Sequence, residues 1–260
     1  MTTTPETTPG TTALARPATA AEAAGRRRPV RSAGARPART IAIDRYLETI
    51  YCIEGEDQPV RPGRLAQWLG VTAPTVSIAL RRLRAGGWIE TGEDRVVTLT
   101  PAGRRTAEET VRRHRLIECW LCDVLGMDWA SAHSEAKRLA PALSDDVLRR
   151  LDLALGGPAT CPHGHRIPGR AAPYGDLVPL TSLAAGVPAT VRRVSEIMEY
   201  ECFACLEELA AAGVGIGTQV SFETDGDMAV LRVSGGGDRR VTVPMSTAQL
   251  ISVDAPAASA

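Results

Sequence analysis

Aromatic side chains are scarce in this chain of 260 residues, at 4%, while Ala and Arg abound, a bias that reflects a GC-rich genome more than a special fold. No apolar run approaches a membrane span, and no apolar signal-peptide core follows the start, so a cytoplasmic protein is expected, with no membrane partner. The formal net charge is zero, which excludes a bulk polycation. No nucleophile–base set, phosphate loop or cofactor fingerprint occurs, so neither an enzyme nor a small-molecule substrate is expected. Six cysteines without a secretory signal read as thiols, metal ligands or redox switches rather than a disulfide framework.

What is present is segregated. The 44% of hydrophobic residues can fill two or three domains. Residues 1–40 carry seven arginines against Glu6 and Glu22 and no hydrophobic period, which reads as a disordered basic arm. Residues 61–99 read as a winged helix-turn-helix. Leu65, Ala66 and Leu69 give a short helix one apolar face, Gly70 and Val71 make the turn, and Thr72 stands at an N-cap with Pro74 in the first turn behind it. Val76, Ala79, Leu80 and Leu83 then recur at helical spacing, and two short strands flank residues 92–95. No acid occurs from Gln58 to Ile89 while five arginines do, which suits a surface that lies on phosphates of double-stranded DNA. Thr72, Pro74, Ser77 and Ile78 are the candidates for base contacts, and Arg64, Thr75, Arg81 and Arg95 for phosphates.

Beyond the wing, Thr100-Pro101 opens a long helix, Asp128 caps a second and Ser144 a third, a plausible dimerisation unit. A Pro/Gly linker is expected over 158–179, then short β runs around a helix over 202–212, a small barrel-like domain. The fold class is mainly α with α+β parts. The division is an arm over 1–40, a DNA-binding domain over 41–105, a helical dimerisation and metal-binding domain over 106–157, the linker, a C-terminal domain over 180–254 and a tail over 255–260.

YLETIY (46–51), APTVS (73–77), LTPAGR (99–104), RHRLIE (113–118), SDDVLRRL (144–151) and CPHGHRIPG (161–169), in this order, resemble the diphtheria-toxin-repressor family of metal-dependent transcriptional regulators. The resemblance covers nearly everything but the arm. It implies a homodimeric repressor that binds an operator, with a C-terminal SH3-like domain and a divalent Fe, Mn or Zn cofactor.

The resemblance places an ancillary metal site at His114, Glu118 and His133. Many members complete it with a Glu and a Gln three residues apart. Counting back from Gly217 without gaps puts Cys202 and Cys205 at those positions, while a one-residue gap brings Glu201 to the first. The two cysteines would then be ligands, or two buried thiols on an amphipathic helix. At the family's primary metal site stand Arg45, Lys137, Ala140 and Pro141, so that site reads as lost, with Lys137 and Asp44 as a switch pair in its place. Cys161, His163 and His165 read as a shaped loop rather than a third site. Two alternatives stay open. One is a metal-independent paralogue controlled by abundance, a small molecule, or thiol oxidation at Cys119, Cys122, Cys202 and Cys205. The other is an interaction protein that uses its SH3-like domain.

Overall fold

The computed structural model describes residues 40–234 and 239–255; the basic arm and the tail read from the sequence fall outside them, apart from Thr40 and Ala255. Capping side chains set most helix starts. Thr40 caps α1 (Ile41–Gly55), Thr72 caps α3 (Ala73–Ala85), Thr100 caps α4 (Pro101–Asp123), Asp128 caps α5 (Trp129–Leu139) and Ser144 caps α6 (Asp145–Ala154), each accepting from a first-turn amide. α2 (Pro62–Leu69) starts on proline and ends at Gly70, left-handed at φ 63°. β1 (Ile89–Thr91) and β2 (Val97–Leu99) pair antiparallel as the wing.

Helix α4 belongs to three cores, the smallest of them made by Leu116 and Cys119 with Cys161 and Ile167. Its first half sends Ala107 and Val111 into the winged-helix core of Leu47, Ile50, Ile53, Leu65, Val76, Leu83 and Val97. Its second half packs Ile117 and Leu121 against Ala132, Ala136 and Leu148 of α5 and α6. Gly103 permits the start of α4 to lie on the wing, because a Cβ there would stand 1.9 Å from the Trp88 carbonyl oxygen.

The C-terminal domain is a six-stranded antiparallel sheet in the order β3-β8-β4-β5-β6-β7. Its strands are β3 (Leu177–Pro179), β4 (Ala189–Val194), β5 (Gln219–Asp225), β6 (Met228–Val233), β7 (Arg239–Pro244) and β8 (Ile251–Asp254). Two short helices, α7 (Glu196–Glu201) and α8 (Phe203–Ala211), stand between β4 and β5, and α9 (Met245–Ala248) precedes β8. Val191, Leu206, Leu209, Val220, Leu231, Val243 and Ile251 form its aliphatic core. The helix predicted over 202–212 is α8; the sequence missed the short α7 before it, separated from α8 at Cys202 (φ −148°, ψ 65°).

The predicted linker is no plain spacer. Cys161, His163, His165 and Ile167 within it are buried, and a Thr160–Arg166 bridge closes it into a loop. Gly164 holds that loop against β4: its φ is 84°, and a Cβ would fall 2.0 Å from the Arg192 carbonyl oxygen. Composition hid this order, since Pro and Gly mark tight turns as readily as slack chain.

Candidate metal centre and DNA-facing surface

All four histidines of the chain gather in one buried region. α4 presents His114 and Glu118 one turn apart, α5 presents His133, the 158–179 loop presents His163, and α7 presents Glu199. Three donor atoms, from His114, Glu118 and His133, converge, and Glu199 reaches the last of them. His114 Nε2 lies 2.9 Å from Glu118 Oε1 and 3.3 Å from His133 Nδ1. His133 Nδ1 in turn lies 2.9 Å from Glu118 Oε1 and 2.9 Å from Glu199 Oε2. His163 flanks the set, 3.6 Å from Glu118 and 3.5 Å from Glu199, while Glu48 of α1 stands 3.3 Å from His114 Nδ1.

The donors fit a divalent cation. Ligand atoms bound at about 2.0–2.2 Å with tetrahedral angles stand about 3.3–3.6 Å apart, so donors now 2.9–3.3 Å apart would need to open by a few tenths of an ångström around an ion. The space among them is about 10 Å³, roughly one water-sized sphere. Glu118 is 2% exposed, and two carboxylates so deeply buried demand positive charge. The side chains respond to that demand. Burial opposes a charged His133, yet the Glu199 charge and hydrogen bonds to both carboxylates raise it to about 10. Burial likewise pushes Glu118 up, and the neighbouring His114 and His163 outweigh it and hold the carboxyl well below its ordinary range.

Three of the sequence-predicted ligands lie elsewhere. Cys202 and Cys205 are bonded to each other as a disulfide, so neither offers a thiolate. Glu201 turns away from the cluster, accepting a hydrogen bond from Trp68 Nε1 at 3.1 Å and pairing with Arg64 at 3.2 Å. Glu199 stands in their place, three residues before Cys202. A gapless count from Gly217 assumes that no residue is inserted on the way, and it lands three positions past Glu199. Cys119 and Cys122 remain free, but burial pushes the Cys119 thiol far up and Cys122 to about 12, which removes the thiolate character a redox switch needs.

The primary-site positions line a cleft of about 700 Å³ between α1 and α5. Asp44, Arg45, Lys137, Ala140 and Pro141 all border it. Arg45 donates to the Leu69 carbonyl at 3.1 Å, and the Lys137 ammonium rests over the Tyr200 ring, 4.1 Å from its centroid. None of these last four positions supplies a carboxylate, imidazole or thiol.

On the recognition helix α3, Thr72, Pro74, Thr75, Ser77, Ile78 and Arg81 are exposed, as is Arg95 on the wing. The hydroxyls have local partners: Thr72 and Thr75 bond each other, and Ser77 donates back to the Ala73 carbonyl. Arg64 is half-buried on Glu201, so the phosphate role read for it from the sequence is not its resting arrangement.

A winged helix joined to a helical domain with a buried His–Glu cluster defines a metal-responsive DNA-binding regulator. Residues 40–97 match the iron-dependent repressor N-terminal DNA-binding domain, and residues 100–169 match the iron-dependent repressor metal-binding and dimerisation domain. The chain is 36% identical over 220 residues to the iron-dependent repressor IdeR of Mycobacterium tuberculosis, covering 80% of this chain and 95% of that protein. It is 33% identical over 199 residues to the diphtheria toxin repressor of Corynebacterium glutamicum, covering 73% and 87%. Among solved structures, a manganese-dependent transcriptional repressor in complex with manganese superimposes with a TM-score of 0.70 at 31% identity, over 82% of this chain and all of that one. The chain belongs to the iron-dependent repressor family, whose members include the diphtheria toxin repressors.

Proposed function

We propose that this repressor acts as a homodimer whose affinity for operator DNA is set by one divalent cation per chain, held by His114, Glu118, His133 and Glu199. The convergence of His114, Glu118 and His133, with Glu199 2.9 Å from His133, carries the reading. Two imidazoles and two carboxylates suit Fe(II), Mn(II) or Zn(II). A cation there would neutralise the buried carboxylates and tie α4, α5 and α7 together. Dimerisation through the helical domain is supported by apolar side chains left exposed on it, Val124 at 60%, Leu125 at 56% and Leu153 at 81%.

Titration calorimetry with Mn(II) and Zn(II) tests the site. One ion per chain is expected for wild type and none for the His114→Ala/His133→Ala double variant, with a matching loss of the metal-dependent rise in Tm. Proton release should accompany binding, because His133, raised to about 10, must give up a proton to coordinate. Equal stoichiometry in the double variant overturns the assignment.

On the DNA side, α3 would enter the major groove with Thr72, Pro74, Ser77 and Ile78 leading, and Arg81 and Arg95 resting on phosphates. Arg81→Ala should weaken binding alike on all duplexes and reduce the slope of log affinity against log salt by about one. A change in sequence preference alone would contradict the phosphate role.

A further inference from the structure

Three consecutive residues of α7 bridge the His–Glu cluster and helix α2. Glu199 joins the His–Glu cluster, 2.9 Å from His133. Tyr200 stacks on Trp68 of α2, with ring centroids 4.2 Å apart and planes 7° from parallel, and carries the Lys137 ammonium of α5 over its ring. Glu201 accepts from the Trp68 indole and pairs with Arg64, whose guanidinium also lies over the Trp68 ring at 5.9 Å. Lys137 is the only lysine in the chain. The other end of α7 is fixed as firmly: Glu56 of α1 accepts from the Ser195 hydroxyl at 2.7 Å and the Glu196 amide at 2.8 Å. Ile197 and Tyr200 both pack against the winged-helix core.

We propose that Tyr200 and Glu201 are positioning residues that relay occupancy of the His–Glu centre to helix α2 of the DNA-binding domain, through the Tyr200–Trp68 stack and the Glu201–Trp68–Arg64 contacts. This rests on Glu199 being a metal ligand. A cation that fixes Glu199 fixes the two residues after it, because all three share less than one turn of helix. α2 precedes the recognition helix α3 by one tight turn, so holding Trp68 and Arg64 also orients α3. The relay takes over the connection between metal and DNA-binding domain at a place where the cleft beside α1 offers Arg45 and Lys137 instead of ligands. A coupling between two sites requires contacts that differ between two states, and here the contacts are named.

The test compares full-length wild type with Tyr200→Leu/Glu201→Gln, with Glu201→Gln alone and with Tyr200→Phe. Mn(II) affinity is read by calorimetry, and amide hydrogen exchange over residues 62–69 is read with and without Mn(II). In wild type, Mn(II) should slow exchange of α2 about tenfold, within the usual range for coupled sites. The double variant should bind Mn(II) within about threefold of wild type while losing most of that protection, in keeping with a contact that lies outside the ligand set. Glu201→Gln alone should lose part of it, which keeps the test decisive should the double variant misfold. Tyr200→Phe should retain it, because stacking needs only the ring. Full α2 protection in the folded double variant overturns the relay and leaves the metal reading intact. Loss of Mn(II) affinity in Glu201→Gln also overturns it, by making Glu201 a ligand. Failure of wild type to bind Mn(II) overturns the metal reading itself.

Discussion

Arg115→Met should lower the unfolding free energy by about 3–5 kcal/mol, the cost of leaving one charge of a buried pair without its partner. Arg115 of α4 and Glu196 of α7 are each 8% exposed at the side chain, and their charged atoms meet at 2.5 Å. The guanidinium also donates to the Arg166 carbonyl of the 158–179 loop, so one cation ties three segments together. Burial pushes the Glu196 carboxyl up, but His165 and Arg115 outweigh it and hold it below the usual carboxylate range. A depressed carboxyl contributes stability above its unfolded value of about 4.3 and loses it as pH falls further. The deficit of the variant, measured by urea denaturation, should therefore be full at pH 7 and shrink below about pH 4. Adding Glu196→Gln should recover part of it, because the unpaired charge disappears. A deficit under about 1 kcal/mol at pH 7 would mean the pair is solvated in solution.

Glu199→Gln should reduce divalent-metal affinity about a hundredfold, equivalent to about 2.7 kcal/mol, while Cys202→Ser/Cys205→Ser should leave it within about threefold. The amide keeps the shape of Glu199 and the α7 packing but removes a negative charge 2.9 Å from His133. The cysteine pair is bonded to itself beyond the end of α7 and contributes no donor. Competition against a chelating dye separates the two outcomes. The reverse ranking would restore the cysteines as ligands.

How much was legible follows the reach of each signal. Thr72, Thr100, Asp128 and Ser144 announce helices from within the turn they cap, and each does so in the structure. His114 and Glu118 are four apart on one helix, and His133 meets them through the packing of two adjacent helices. Signals that cross many residues are lost. β8 pairs with β3, Val178 opposite Val253, without a turn between them to advertise it. Nothing in the basic stretch around Arg64 reveals that Glu201, 137 residues later, will neutralise it. His163 was legible as part of a shaped loop, but not its burial beside residues of α4 and α7; Glu199 was missed because the count back from Gly217 lands three positions after it.

The position of Lys137 has an analytical consequence. Because no other lysine exists, the side-chain amine chemistry of this repressor is addressed to a single point, at the edge of the cleft between α1 and α5 and over the ring of Tyr200. An amine-selective fluorophore or cross-linker, used at a pH that spares the α-amino group, needs no engineered handle to report on the place where the DNA-binding and metal-binding domains meet. The same uniqueness makes lysine acetylation an all-or-none event for the chain: it would strip the ammonium from the aromatic stack in one step, with no second site to confound the result.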